Sequence, residues 1–271
     1  MGEAARGEHP VTGLLAAYDA QLRGDAELDG AEGVRRFGPV TVGVFPGGSG
    51  FASYRDLAGA GERRIRSLVR DVAAHFAAQP DVRTAEWKTR GHDAAPGLAA
   101  ALLEAGFAPE DEESVMLGEA SALAGDVPVP PGVTLREIRA EHDILAMEEM
   151  QGRVFGDPDW QSRAARTVAR VASGADIVLW IAESEGQVIS AGRLEPVAGT
   201  EFAGIWGGAT LPEWRGRGVY RAVTARRAHA ALQRGIRYLH SDSTEFSRPI
   251  LERSGLRKYT TTTPYVWTRA S

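Results

Sequence analysis

The stretch LPEWRGRGVY, residues 211–220, decides the fold of this chain. It falls between a run of β-forming residues and a run with helical spacing. Gly216 and Gly218 permit a tight turn with uncovered backbone N–H groups, and the positive end of the following helix points at the same place. Arg215 and Arg217 add guanidinium groups that can bind phosphate oxygens in pairs. The stretch therefore indicates an anion site, with a solvent-exposed turn carrying incidental arginines as the open alternative.

Alternating strands and helices are predicted on both sides of this stretch, in the second half of the chain. Short β-rich runs bounded by turns predict strands, and apolar residues at helical spacing predict helices. The predicted strands are Val133–Ile138, Ile177–Ala182, Val188–Leu194, Phe202–Thr210, Ile236–His240 and Thr261–Trp267. The predicted helices are Glu141–Phe155, Trp160–Ala172, Val219–Arg234 and Arg248–Ser254.

The segment AGDVPVPPG, Ala124–Gly132, divides the chain. Its three prolines and two glycines favour an extended linker, because proline fixes φ and has no N–H for a strand ladder. We expect one domain at residues 1–125 and a second domain at residues 133–271.

The first half repeats the order of elements found at the end of the second half. The interval from Gly106 to Met116 equals that from Gly255 to Tyr265, and an apolar residue follows each of the two glycines. This repetition predicts a degenerate internal duplication. The predicted elements are strands at Val40–Phe45, Val82–Trp87 and Ser114–Leu117, helices at Asp56–Phe76 and Pro96–Ala105, and a loop at Phe45–Gly50.

Length and charge restrict the class of protein. The chain has 271 residues, of which 43% are hydrophobic, and a domain takes roughly 150 residues. The formal net charge is −5 and there is no basic block, so nucleic acid is not an expected partner. No run approaches the roughly 20 apolar residues of a membrane span, and the N-terminus lacks the pattern of a secretion signal. We expect a cytoplasmic protein, and the excess of arginine over lysine is typical of a GC-rich bacterial genome.

Cysteine is absent from the sequence. This excludes disulfides, thiolate nucleophiles, cysteine-ligated zinc and a covalent acyl-cysteine intermediate. No metal site is predicted.

The stretch quoted above resembles the pyrophosphate-binding signature of the GNAT superfamily of N-acetyltransferases, Q/R-x-x-G-x-G/A. Arg215 takes the first position and Gly218 the central glycine, whereas Tyr220 stands where glycine or alanine is usual. Ser247–Leu256 resembles the superfamily's later helix, which ends in glycine and an apolar residue. The resemblance covers Val133–Ser271. It implies a mixed α+β fold, with a central, mostly antiparallel sheet flanked by helices, in two tandem GNAT-like halves.

The resemblance also implies where acetyl-CoA binds. In this superfamily the sheet splays after its fourth strand, which here would be Phe202–Thr210, and acetyl-CoA lies in the opening. Gly207 and Gly208 suit a close approach of a ligand to the backbone, and a β-bulge is an equally compatible reason for them. The residues assigned to the cofactor are Ala209, Thr210, Leu211, Arg215, Gly216, Arg217, Gly218, Val219 and Tyr220.

Catalytic residues are harder to assign. Acetyl transfer to an amine needs a proton acceptor for the nucleophile, a proton donor for the leaving thiolate and a donor for the oxyanion. Some family members use a glutamate in the middle of the fourth strand, and a tyrosine on the late helix often serves as the acid, but the matching positions here are Gly204 and Leu251. The candidate bases are Glu201, Glu195, Asp242 and Glu245, and the candidate acids are Tyr220, Ser243, Ser247 and Tyr265. We expect Glu201, Asp242 and Ser247 to be catalytic; solvated carboxylates and hydroxyls with local partners are the alternative.

Other side chains could serve the acceptor or the protein contacts. His240 could relay a proton or be a core histidine. His92 and Asp93, near Lys88, are expected at a contact between halves or subunits. The aromatic residues that could border an acceptor pocket, or pack in the core, are Phe155, Trp160, Trp180 and Trp206.

The resemblance implies an acetyl-CoA-dependent N-acetyltransferase. It would move an acetyl group directly to a primary amine of a small molecule, within a ternary complex. A non-catalytic module that binds or senses acyl-CoA is the alternative. We expect a monomer or homodimer with neither nucleic-acid nor membrane partners.

Overall fold

The computed structural model describes residues 11–245 and 247–270. No helix in this part of the chain combines the length and apolar character needed to cross a membrane. The helices are α1 (Val11–Leu22), α2 (Glu62–Ala77), α3 (Leu98–Glu104), α4 (Ala120–Leu123), α5 (Glu141–Phe155), α6 (Trp160–Ala172), α7 (Val219–Gln233) and α8 (Arg248–Ser254). The strands are β1 (Gly33–Phe37), β2 (Val40–Phe45), β3 (Ser49–Ser53), β4 (Thr84–Arg90), β5 (Ala108–Pro109), β6 (Glu113–Glu119), β7 (Val133–Ile138), β8 (Val178–Ser184), β9 (Gln187–Pro196), β10 (Phe202–Thr210), β11 (Tyr238–Ser243) and β12 (Arg257–Thr268).

The chain divides into two compact units. Unit 1 comprises Met1–Val115, Asp242–Arg248 and Lys258–Ser271, and unit 2 comprises Met116–Ser241 and Pro249–Arg257. The division predicted at the proline-rich linker therefore does not coincide with the border of the units. The reason is strand pairing: almost all of the C-terminal strand β12 groups with unit 1, and the end of β6 groups with unit 2.

Unit 1 is built on a sheet with the strand order β1-β2-β3-β4-β12. β3 and β4 are parallel, and the other neighbours in this order are antiparallel. α2 packs on this sheet because its apolar side chains recur at helical spacing on one face. Trp87 and Phe107 complete a core with that face. The buried face of α2 consists of Ile65, Leu68, Val69, Val72 and Phe76.

Unit 2 has the strand order β11-β10-β9-β8-β7. β10 and β11 are parallel, whereas the other pairs are antiparallel. The pairing of β10 with β11 covers only Phe202–Gly204, opposite Tyr238–His240. β10 continues to Thr210, so the two strands part after Gly204. This is the opening that the resemblance implies after the fourth strand.

Most predicted elements of the second half are confirmed. β7, α5, α6, β10 and α8 have the predicted bounds, and α7 differs from its prediction by one residue. In the first half, α1, β1 and β3 escape the sequence pattern. The loop predicted at Phe45–Gly50 is restricted to residues 46–48, because Ser49 and Gly50 pair with both β2 and β4.

Candidate functional site

The loop between β10 and α7 has the geometry of an anion site. Gly216 and Gly218 have φ of 72° and 84°, which is left-handed backbone that favours glycine. Gly218 is the N-cap of α7, and no side chain caps this helix N-terminus with a hydrogen bond. The first turn of α7 contains no acidic residue. Its N–H groups and the positive end of the helix dipole therefore face the loop without an internal partner.

Two arginines flank these N–H groups. Arg215 is exposed, and its Nε donates to the Thr210 carbonyl oxygen at 3.1 Å. The exposed Arg217 lies 5.0 Å over the ring of Trp214. A Cβ built at Gly216 would find no other atom within 4 Å. This open, cationic surface, rich in hydrogen-bond donors, fits the pyrophosphate of coenzyme A, which Arg215, Arg217 and the backbone of Gly216–Tyr220 would hold.

A β-bulge interrupts β10 before the loop. The pairing with β9 shifts between Trp206, opposite Arg193, and Ala209, opposite Ala191. Gly207 and Gly208 lie in the shift, and Gly207 has a φ of 60°. The bulge therefore explains both glycines and leaves their peptides beside the opening.

Tyr220 has its side chain directed at this bulge. A Cβ built at Gly208 would lie 2.7 Å from the Tyr220 hydroxyl oxygen. The same hydroxyl interacts with the Arg227 guanidinium. The tyrosine that departs from the family pattern is thus a candidate proton donor at the bulge, and only its backbone belongs to the loop.

The structure places Glu201 away from the bulge. Its carboxylate is half-exposed and lies 3.9 Å from Arg237 Nη1, immediately before β10 begins. Six residues separate it from Gly207, or about 20 Å along a strand that rises about 3.3 Å per residue. This separation disfavours proton transfer by Glu201 at the bulge, and its assignment as the base stays a prediction.

Asp242 and Ser247 are placed in unit 1 rather than in unit 2. Asp242 accepts a hydrogen bond from Lys88 Nζ at 2.6 Å. Burial disfavours the Lys88 ammonium, but Asp242 outweighs it and raises the Lys88 pKa. The Ser247 hydroxyl lies 2.9 Å from that of Ser243, within a turn. The contacts shown give Asp242 a cationic partner and Ser247 a hydroxyl partner, and the catalytic assignment of both residues stays a prediction.

Two arginines hold Glu195, the other carboxylate near β10. Arg170 donates to both of its carboxylate oxygens, at 3.2 and 2.9 Å, and Arg193 Nε donates at 2.5 Å. Burial raises the pKa of Glu195, but the hydrogen bonds and charges of the two arginines lower it below its ordinary value. A carboxylate stabilised in this way is a poor proton acceptor.

The variant Glu195→Gln is expected to lose stability in a pH-dependent way. Because the folded pKa is depressed, ionised Glu195 stabilises the fold above its unfolded pKa of about 4.3, and this contribution disappears as pH falls through the folded pKa. We expect the free energy of unfolding to fall by about 1 kcal/mol at neutral pH and by less at acid pH, as the pH drops through the folded pKa. Urea unfolding at both pH values measures this, and equal losses at the two would contradict it.

The predicted acceptor aromatics have different surroundings. Trp206 lies over Gly204, and its ring meets that of His240 edge-on at 5.3 Å. Trp160 packs on Gly152, where a Cβ would lie 2.7 Å from the tryptophan Cβ. Phe155 is largely exposed at the end of α5. Trp180 is partly buried against the core, so core packing explains it.

In unit 1, the place next to the parallel strand pair is filled by an ion network. Beyond the pairing of β3 with β4, Arg23 donates to both oxygens of Asp93 at 2.8 and 2.9 Å, and the Tyr54 hydroxyl donates to the same carboxylate. Arg90 donates to the Tyr18 hydroxyl at 3.0 Å. Asp93, which was predicted at a contact between halves or subunits, thus belongs to an internal ion network of unit 1.

Two residues near the bulge escape the sequence analysis. Gln151 Nε2 donates to the Gly207 carbonyl oxygen at 2.6 Å, and buried Arg227 lies behind the same strand. The sequence signal that could have indicated buried Arg227 is Gly192, a glycine within a strand. A Cβ at Gly192 would lie 2.6 Å from Arg227 Cζ.

Known proteins resemble the chain in sequence and structure. Residues 133–241 match the family model described as the acetyltransferase (GNAT) domain, whereas no curated protein matches the chain. A GCN5-related N-acetyltransferase from Kribbella flavida has a TM-score of 0.67 at 19% identity, covering 91% of this chain and 94% of that chain. A functionally unknown conserved protein from Staphylococcus epidermidis ATCC 12228 has a TM-score of 0.66 at 13% identity, covering 89% and 95%. A tandem GNAT protein from the clavulanic acid biosynthesis pathway has a TM-score of 0.61 at 15% identity, covering 86% and 79%.

Proposed function

Since the chain has the GNAT fold and its residues 133–241 match the acetyltransferase (GNAT) domain, we propose that it is an acetyl-CoA-dependent N-acetyltransferase. The proposed acceptor is a primary amine of a small molecule. Acetyl-CoA supplies the activated acetyl group when it is bound. The observation that supports this proposal most strongly is the loop of unit 2. Uncapped helix N–H groups, two left-handed glycines and two exposed arginines meet there, at the end of a splayed strand.

The bulge supports the acetyl-transfer step. As the amine nitrogen bonds to the acetyl carbon and the C–S bond breaks, negative charge develops first on the carbonyl oxygen and then on sulfur. The Gly207 and Gly208 N–H groups are the candidate donors to the oxygen, because preorganised backbone donors stabilise such charge. The Tyr220 hydroxyl, beside Gly208, is the candidate proton donor to sulfur.

The proton of the amine is proposed to leave through water. Glu195 is held ionised by two arginines, and Glu201 lies beside Arg237 at the far end of β10. Neither carboxylate suits a base at the bulge. The absence of cysteine supports direct transfer, without an acyl-cysteine intermediate.

A module that binds acyl-CoA without catalysis is the second candidate. It is favoured by buried Leu251 at the position of the family's tyrosine and by the pairing of Glu195 with arginines. Such a module would have the same CoA-binding loop as an enzyme but would not catalyse acetyl transfer.

Thiol release from acetyl-CoA separates the two candidates. We expect at least one member of a panel of small primary amines to raise the rate at least about tenfold above the rate without amine, since acid and positioning effects are each worth that much or more. Because the protein has no cysteine, every thiol detected comes from coenzyme A. Tight CoA binding with no amine-dependent release across the panel would contradict the enzyme and support the binding module.

A further inference from the structure

Arg227 is a buried cation with unusual surroundings. Its exposed fraction is 1%, and burial lowers its pKa. In the described part of the chain, no carboxylate oxygen lies within 4.0 Å of its guanidinium nitrogens. Burying a charge without an opposite partner is costly, so the fold must gain something else from this side chain.

The hydrogen bonds of Arg227 join its own helix to the edge of the bulge, and on the helix its Nε lies 3.4 Å from the Val223 carbonyl oxygen. Its Nη1 lies 3.4 Å from the carbonyl oxygens of both Arg193 and Trp206, the facing residues at the edge of the bulge. Its Nη2 donates to the Thr224 hydroxyl at 3.0 Å, and the Tyr220 hydroxyl interacts with the same guanidinium.

Gln151 holds the next peptide of the bulge. This side chain is 2% exposed and comes from α5, whereas Arg227 comes from α7. Its Nε2 donates to the Gly207 carbonyl oxygen at 2.6 Å. The carbonyls of two successive residues, Trp206 and Gly207, are therefore bound by two buried side chains from different helices.

The direction of each carbonyl determines the direction of an N–H group. In a planar trans peptide, the C=O of one residue and the N–H of the next point in opposite directions. Holding the Trp206 carbonyl therefore orients the Gly207 N–H, and holding the Gly207 carbonyl orients the Gly208 N–H. A donor bound to the carbonyl also polarises the same peptide and strengthens its N–H as a donor.

We propose that Gln151 and Arg227 are positioning residues that orient and polarise the Gly207 and Gly208 N–H groups toward the acetyl carbonyl. The proposal rests on the proposed function. It assigns a use to a buried guanidinium that has no carboxylate partner among the described residues, and it gives a reason for the space that Gly192 leaves beside it. Gln151 and Arg227 contact the peptide groups of the bulge and not the acetyl group itself.

The test compares ligands that differ only in the carbonyl. One is a ketone analogue of acetyl-CoA in which CH2 replaces the thioester sulfur, and the other also replaces the carbonyl with CH2. Neither can transfer an acetyl group, so the readout is binding by titration calorimetry. We expect the wild type to prefer the ketone at least about tenfold, as about 1.4 kcal/mol of hydrogen bonding provides.

The variants Gln151→Met and Arg227→Met are expected to lose most of this preference while their affinity for CoA stays within about twofold, because the pyrophosphate loop is unchanged. Arg226→Met is the matched control, since Arg226 is an exposed neighbour on the same helix, and it should keep the preference. If Arg227→Met fails to fold, Gln151→Met, from a different helix, carries the test alone.

The outcomes separate this inference from the proposed function. Variants that bind CoA and keep the wild-type preference for the ketone would overturn the positioning role and leave the proposed function standing. A wild type that binds no CoA would overturn both. Loss of CoA affinity in parallel with the preference would show a general structural role and would also contradict the inference.

Discussion

Replacing Gly208 with valine is expected to reduce acetyl transfer by at least about 100-fold, the loss typical of removing an oxyanion donor. The Cβ of any larger residue would lie 2.7 Å from the Tyr220 hydroxyl oxygen and 2.8 Å from its ring. Either the tyrosine or the bulge must move. The substitution therefore disturbs the candidate proton donor and the candidate oxyanion donors together. Steady-state thiol release with the best amine of the panel measures the loss.

Gly125→Val is the matched control for this substitution. Gly125 has no other atom within 4 Å of a built Cβ and does not have a left-handed φ. We expect wild-type rates for this control and unchanged CoA affinity for Gly208→Val. Transfer by Gly208→Val within about threefold of the wild type would show that the bulge and Tyr220 do not serve the reaction.

The double variant Arg215→Ala with Arg217→Ala is expected to weaken CoA binding about 100-fold. Hydrogen bonds to charged groups contribute about 1.5 kcal/mol or more each, and the loss of two amounts to about 3 kcal/mol. The wild-type affinity should fall with rising salt more steeply than that of the variant, because the variant makes fewer phosphate contacts. Titration calorimetry at low and high salt measures both effects.

Arg153→Ala with Arg166→Ala removes the same two charges elsewhere on unit 2. Both arginines are exposed on helices α5 and α6. This control should retain CoA affinity within about twofold, since it changes only the net charge. Equal weakening in the two double variants would mean that general attraction, rather than the loop, accounts for the binding.

The parts of the site that local chemistry specifies were predictable from the sequence. Gly216 and Gly218 require left-handed backbone, and the helix after them presents bare N–H groups wherever it folds. Gly207 and Gly208 marked the bulge for a similar reason, because a glycine pair inside a strand seldom serves packing. These features need only neighbouring residues to take effect.

The parts that depend on distant residues were not predictable. An arginine such as Arg227 in a helical pattern normally indicates an exposed position, whereas here its guanidinium lies against Gly192 of a distant strand. The C-terminal strand pairs with β4, and its Tyr265 lies opposite Trp87. Neither local sequence carries information about this pairing. The position of Glu201, the preferred base, was not predictable for the same reason: nearness along the chain did not place it near the bulge.

Titration of the wild-type protein with acetyl-CoA tests the central claim most directly. We expect one site per chain with an affinity that weakens as salt rises, because among the described residues only unit 2 carries this loop, whereas in unit 1 an ion network lies beyond the parallel pair β3 and β4. Two sites per chain would contradict the assignment of unit 1. No binding at all would contradict the pyrophosphate loop and the acetyltransferase function that is built on it.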